Sequence, residues 1–519
     1  MASNPASAAP PNILFLQVDQ LAARYLGSMG HKVVKSPNID RLAARSVVFE
    51  TAYCNYPLCS PSRASMHSGR LPFSIGQWDN GAEFFAEIPT FAHYLTAAGY
   101  DTTLCGKMHF VGPDQLHGYE RRLVTDIYPS DFAWTTDWEH VFRPGGGIRI
   151  RNVVEAGWCV RSLQMDFDEE VEHLARQALF DHARTPDAKP FFLTVSFSHP
   201  HPPYVAPKAF WDLYSDDEID MPTVPTMARE ELDPFNSARW EMMGHQHYDL
   251  TEKQTRSARR AYYAMITYVD TLVGRVLDAL DESGLADNTI IVFASDHGEM
   301  LGERGMWLKD NFLEDSVRVP LMIAGPGILP RRSAEVVSLV DLMPTLLDLA
   351  KADIAVVDPL DGRSLAPLLA RDVPDWDGLA IIDFAGGGHD RVARAVRKGR
   401  YKCIVADGLP PQLFDLAVDP NELNDLAGDL AHSEALAALT ALIADSWNPA
   451  ELNAQVQLSQ KRRLLIQQAT DKSGNYPNWA AVVRNGDADR FVRGRASSFY
   501  AKAKFRFPPI EPIEVPERD

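Results

Sequence analysis

Cys59-Ser60-Pro61-Ser62-Arg63 puts a nucleophile-type thiol, a proline and a cation within one turn, and proline suits the first turn of a helix. A helix running on through Ala64-Ser65-Met66 to Gly69 presents its positive N-terminal end at Cys59, where an anion is favoured. The pentapeptide alone fits a plain helix start with a buried cysteine equally well. Two other pairs invite a metal ion. Asp19 and Asp296, helped by the Gln20 amide oxygen, are hard donors suited to Ca²⁺ or Mg²⁺, and the His297 nitrogen admits Mn²⁺. Arg63, Lys107 and Lys309 supply positive charge for the oxygens of an anionic ester, and His109 and His201 can exchange protons near neutral pH.

These residues need elements to position them. Asn12 to Val18 (NILFLQV) is a nearly continuous apolar run, as a strand buried on both faces of a parallel sheet reads, and it ends at Asp19-Gln20. Pro190 to Phe197 and Thr289 to Ala294 repeat the pattern and end just before His199/His201 and Asp296-His297. Polar residues at the C-terminal ends of buried strands lie on the edge where open α/β sheets bind ligands. Between the strands, Arg259 to Ser283 has helical apolar spacing closed by Gly284. The expected architecture is an α/β/α catalytic layer system over 12–375, preceded by a disordered lead-in, 1–11. Arg394 to Val405 and the turn that follows predict a smaller antiparallel sheet within an α+β subdomain, 376–450. A helical and then extended Pro-rich tail, 451–519, closes the chain.

CSPSRASMHSG resembles the signature of the type I sulfatases of the alkaline-phosphatase superfamily, with Cys59, Pro61 and Arg63 at the required places. His67 and Ser68 depart from the usual residues downstream of that core. Gly106-Lys107-Met108-His109 matches the family's Gly-Lys-x-His segment, His201 its later histidine and Lys309 its later lysine. The resemblance implies an alkaline-phosphatase-like α/β/α sandwich. It also implies that Cys59 is oxidised to formylglycine by a formylglycine-generating enzyme, and that Asp19, Gln20, Asp296 and His297 hold one divalent metal, Ca²⁺ first and Mn²⁺ or Mg²⁺ as alternatives. In the implied double displacement a hydroxyl of the hydrated aldehyde attacks sulfur while His201 and Lys309 stabilise or protonate the departing oxygen. His109 then deprotonates the second hydroxyl and sulfate leaves.

Within the family, residues 79–84, 89–95, 106–120 and 125–138 look like the choline sulfatases, with Trp134 where that group's choline-contacting tryptophan stands. Asp383 remains of a substrate-binding segment that is otherwise altered, IIDFAGGGH. Residues 143–152 (RPGGGIRIRN) bring cations where a cationic substrate would be repelled. The expected substrate is therefore an aryl sulfate or a choline-O-sulfate-like ester. A phosphonate monoester or phosphodiester hydrolase is the alternative within the superfamily, and a non-catalytic anion binder with unmodified Cys59 the alternative outside it.

Composition sets the remaining bounds. Among 519 residues, 51 Lys+Arg against 70 Asp+Glu give −19, which disfavours a general nucleic-acid role. Five scattered cysteines make no disulfide framework, MASNPASAAPP lacks the features of a secretory signal, and no stretch approaches a spanning helix. A soluble, cytoplasmic enzyme is expected, with neither nucleic-acid nor membrane partner. Arg484, Arg490, Arg493, Arg495, Lys502, Lys504 and Arg506 make the tail basic on an acidic body. That contrast predicts a homo-oligomer, dimer or tetramer, in which residues beyond about 484 contact another chain.

Overall fold

The computed structural model describes residues 10–140, 149–185, 188–477, 479, 492, 498–503, 506 and 510. The lead-in before Pro10 and most of the basic tail, Arg484, Arg490, Arg493, Arg495 and Lys504 included, lie outside the described residues, whereas Lys502 and Arg506 lie within them.

The strands are β1 (Asn12–Val18), β2 (Val47–Tyr53), β3 (Asp101–Gly106), β4 (Arg121–Arg122), β5 (Gly157–Cys159), β6 (Phe191–Ser196), β7 (Val205–Pro207), β8 (Thr289–Ser295), β9 (Arg318–Ala324), β10 (Arg331–Ser338), β11 (Leu379–Phe384), β12 (Ala393–Lys398), β13 (Tyr401–Ala406) and β14 (Gln412–Asp415). Among the described residues, eight of them form one sheet in the order β10-β2-β9-β8-β1-β6-β3-β4, and only β9 runs antiparallel to its neighbours. The apolar run of β1 is explained by two-sided burial: Ile13 and Phe15 join the core on one face, and Leu14, Leu16 and Val18 the core on the other. The same division splits Ile290 and Val292 from Ile291 and Phe293 on β8.

Helices cover both faces, so the expected α/β/α layering is what forms. The helix expected over Arg259 to Ser283 is longer at its start, spanning Glu252–Glu282. Thr251 begins it with a capping box to Gln254, and Gly284, at φ +72°, follows its end. A separate antiparallel sheet, β11-β12-β13-β14, carries the hairpin foreseen at Arg394 to Val405. The Ser433–Asp445 and Pro449–Ser473 helices follow it. No helix among the described residues is long and apolar enough to cross a membrane, and the five cysteines are free and buried.

Candidate active site

Sheet order assembles the site. β8, β1, β6 and β3 are consecutive and parallel, so Asp296-His297, Asp19-Gln20, His199/His201 and Lys107/His109 leave the same edge side by side. β3 can run against β6 to its last residue because position 106 is glycine: at φ +114°, a Cβ there would lie 2.0 Å from the Ser196 carbonyl oxygen. Cys59 is the first residue of the Cys59–Ser68 helix, all ten residues of which are buried. Its N-terminus has no cap of its own; the Ser60 amide donates instead to Asn80 Oδ1 at 3.0 Å.

Arg63, on the first turn of that helix, ties the strand ends together. It donates to Asp296 Oδ2 at 2.8 Å, to Gln17 Oε1 at 3.1 Å, and to the Lys107 carbonyl and Ser196 Oγ at 2.9 Å each. Cys59 Sγ lies 3.2 Å from His297 Nε2, 3.9 Å from Asp19 Oδ1 and 4.0 Å from Lys309 Nζ. One donor atom each from Asp19, Cys59, Asp296 and His297 falls within 4.8 Å of the others, and all four residues are buried. Gln20 joins at the side: its amide N–H donates to Asp296 Oδ1 at 3.0 Å, Nε2 to Glu299 Oε2 at 2.5 Å, and its Oε1 accepts from Lys309 Nζ. Lys107 Nζ pairs with Asp19 and lies 4.1 Å from the Tyr128 ring centre. Gln20 and His109 hold positive φ, +65° and +59°, a conformation costly to non-glycine residues that concentrates at functional sites.

Electrostatics follow from burial. Desolvation pushes the Cys59 thiol up to about 11 despite Lys309, so a bare thiol here stays protonated at neutral pH. Desolvation would raise Asp296 as well, but Arg63, His297 and Lys107 outweigh it and hold the carboxylate ionised. Desolvation, reinforced by neighbouring lysines, keeps His109, His201 and His297 well below the usual imidazole range. Neither ring nitrogen of His109 has a hydrogen-bond partner among the described residues. Its backbone N–H donates to Asp126 Oδ2 at 2.6 Å, and its ring meets Tyr128 and Trp134 edge-on, at 4.8 and 5.3 Å.

Trp134 is half-buried and held from below. Arg463, on the Pro449–Ser473 helix, forms a two-pronged pair with buried Asp79 at 2.6 and 3.1 Å and donates to Thr135 Oγ1 at 3.1 Å. Gly81 allows this closeness, since a Cβ there would come within 2.4 Å of the Thr135 nitrogen.

Thus Cys59, Arg63, Lys107, His109, His201, Lys309, Asp19, Gln20, Asp296, His297 and Trp134 are brought to one edge of the sheet. The expectation for Asp383 is corrected: its carboxylate accepts from Arg394 Nε at 2.7 Å and from the Phe73 amide at 3.2 Å, fully buried, and is committed to the seam beneath the small sheet. His67 is structural in the same sense, with Nδ1 2.7 Å from the Arg63 carbonyl and its ring 4.3 Å from Phe91; burial lowers it to about 3. Sequence reasoning missed Tyr128, Asp126 and Glu299, which carry no motif by themselves. It placed Lys502 in a tail that contacts another chain; within this chain Lys502 Nζ reaches His201 Nδ1 at 2.6 Å.

The sulfatase family profile matches residues 11–352, and that of the N-sulphoglucosamine sulphohydrolase C-terminal region matches 302–448. The chain is 41% identical over 513 residues to a choline-sulfatase of Rhizobium meliloti (strain 1021), covering 96% of this chain and 98% of that protein. It is 31% identical over 457 residues to an arylsulfatase of Clostridium perfringens, covering 83% and 93%. Among solved structures, the phosphonate monoester hydrolase of Agrobacterium radiobacter superposes with a TM-score of 0.69 at 25% identity, over 86% of this chain and 96% of that one. With the cysteine signature, the strand-end donors and the cationic ring on one edge of an alkaline-phosphatase-like sheet, this chain belongs to the sulfatase family and is a sulfate-ester-hydrolysing enzyme.

Proposed function

We propose that the chain hydrolyses sulfate monoesters of small alcohols or phenols at the Cys59 cluster, with Cys59 matured to formylglycine and one divalent cation, Ca²⁺ first, held by Asp19, Gln20, Asp296 and His297. The observation that carries this reading is the convergence of Cys59 Sγ with two fully buried carboxylates and an imidazole inside a ring of Arg63, Lys107 and Lys309. The donor set fits a hard cation, because two carboxylates forced together out of water repel unless neutralised. When bound, the cation supplies charge neutralisation and polarisation at the reacting oxygens, and formylglycine supplies a hydroxyl nucleophile that the protonated thiol cannot.

The chain's own residues do the rest. Lys309, 4.0 Å from Cys59 Sγ, and Lys107, on Asp19, bind sulfate oxygens and the charge that develops on them, while Arg63 holds Asp296 in place. His201, with Nε2 2.9 Å from Lys309 Nζ, positions that amine, and the pair stabilises or protonates the leaving oxygen. His109, whose ring nitrogens are free of protein partners among the described residues, takes and returns a proton. The buried walls of Tyr128 and Met108 keep water from competing.

The test is paired: the intact mass of the peptide spanning Cys59, and turnover of 4-nitrophenyl sulfate and choline-O-sulfate before and after chelation. Formylglycine at 59 and loss of turnover on chelation are expected. Full turnover from protein whose Cys59 is quantitatively a thiol overturns the reading. A second reading, hydrolysis of phosphonate monoesters, is favoured by the match to the Agrobacterium radiobacter enzyme over most of both chains. The ratio of kcat/KM for 4-nitrophenyl sulfate to that for a phenylphosphonate monoester decides which activity leads.

A further inference from the structure

Lys502 occupies a corner of the site that the reading above does not use. It ends the Ser498–Lys502 helix, is fully buried, and places Nζ 2.6 Å from His201 Nδ1 and 2.9 Å from the Tyr128 hydroxyl. Phe499 of the same helix stacks on the His201 ring, with centroids 5.8 Å apart. The two ring nitrogens of His201 therefore face two amines, Lys309 on Nε2 and Lys502 on Nδ1, and Nδ1 also faces the Pro202 carbonyl at 2.7 Å. A neutral imidazole has one acceptor nitrogen, so it cannot satisfy both amines as ammonium donors.

The charge balance points the same way. Arg63 pairs with Asp296 and Lys107 with Asp19, carboxylates that a bound divalent cation would share, and neither Lys309 nor Lys502 forms an ion pair among the described residues, so the excess charge of the pocket is positive. Beside Lys309, Arg239 and Arg149 share the single carboxylate of Asp310, at 2.6 and 3.5 Å, leaving that wall one positive charge in excess as well. Buried cations without counter-ions are costly, and an arriving anion relieves the cost. A sulfate monoester brings one negative charge, and Lys309, 4.0 Å from Cys59 Sγ, with Lys107 on Asp19, is there to meet it. Lys502 stands across the His201 ring from Lys309, and His201 is the residue that the reading above assigns to the departing alcohol. Burial, with Lys107 and Lys309 nearby, holds its ammonium well below the ordinary lysine range, a penalty that an anionic partner would remove.

Resting on the sulfatase reading, we propose that Lys502 sets the substrate class: the alcohol or phenol released carries a second anionic group, a carboxylate or a further sulfate, which pairs with Lys502 at the His201–Tyr128 corner. A quaternary ammonium at the same place would meet this cation, which has no ion-paired counter-charge among the described residues, whatever the Trp134 indole face offers it.

The test compares kcat/KM for 4-sulfooxybenzoate and for its methyl ester, which differ in that one charge, with hydroquinone bis-sulfate as the doubly sulfated arm and choline-O-sulfate as the cationic one. The full chain is expected to prefer both anionic esters over the methyl ester and to place choline-O-sulfate last. Lys502→Met should lower the carboxylate-to-methyl-ester ratio on the order of ten- to a hundredfold, chiefly through KM, while Lys502→Arg keeps it. A wild-type ratio at or below one, choline-O-sulfate in first place, or an equal loss on both esters in Lys502→Met overturns the proposal. Should Lys502→Met not fold, calorimetric binding of 4-hydroxybenzoate against methyl 4-hydroxybenzoate to the wild-type enzyme decides, tighter binding of the carboxylate being required. Absence of turnover on every ester would strike the sulfatase reading instead, and that same binding comparison would still judge Lys502.

Discussion

The C-terminal edge of the central sheet and the seam where the small sheet meets it both bury ionised side chains, and they treat them in opposite ways. At the seam, Lys402 Nζ donates to the Phe312 carbonyl at 2.7 Å and to Glu314 at 3.0 Å and also pairs with Glu422. Close by, Asp383 pairs with Arg394, whose other nitrogen donates to Ser446 Oγ at 3.0 Å. At the edge, by contrast, Lys309 and Lys502 crowd one imidazole with no ion pair among the described residues, beside a neutral His109 whose ring nitrogens have no partner among them either. Buried charges that find protein partners hold the fold together; buried charges denied them are waiting for a ligand. The contrast explains why Asp383, plausible as a substrate ligand from its motif, is structural, and why Lys502, plausible as a surface charge, is not.

The contrast can be broken most decisively at Cys59. Cys59→Ala should lower kcat/KM on the order of 10³-fold or more while leaving the melting temperature close to that of the wild type. Turnover within tenfold of wild type, or a collapse of the fold, would erase the distinction between the two regions. Lys402→Met is the mirror image. It leaves Glu422 buried without its cation and takes one cation from half-buried Glu314, and should cost about 3–5 kcal/mol in a denaturant titration while the molecules that remain folded still turn over substrate. A smaller effect sharpens the comparison with a third kind of carboxylate. Asp341 is buried, accepts hydrogen bonds from the Ser338 and Arg363 amides, and forms no ion pair among the described residues; desolvation outweighs those bonds and the Arg363 charge and pushes it up to about 6. Because the folded state holds this proton more tightly than the unfolded one, the contribution is fully present below about pH 4 and is lost as pH rises through about 6. Stability should therefore fall across that window by at most roughly 3 kcal/mol. Asp341→Asn should flatten that slope in melts recorded between pH 4 and 7.

Much of the fold was legible because its signals are local. β1 and β8 are read as strands from apolar runs that both faces bury, and their ends at Asp19 and Asp296 follow from where the run stops. The long helix shows its period, although its first turn, capped by Thr251, is polar and was not anticipated. The small antiparallel sheet was visible from Arg394 to Val405 and the turn residues after it, which join β13 to β14. What was not legible joins residues far apart: Arg463 with Asp79 and Lys502 with His201. Charge in a sequence is the same letter whether it ends in water or in a core.

By itself the sequence determined the chemistry on offer: a cysteine at a helix start, two acidic strand ends, and the lysines and histidines of an anionic-ester site, because these depend on residue type and short spacing. Only the tertiary structure decided which charges are spent and which remain free. The order β8-β1-β6-β3 brings four strand ends together, and the C-terminal helices reach the same edge. Burial then makes each unpaired charge expensive enough to define what must bind there.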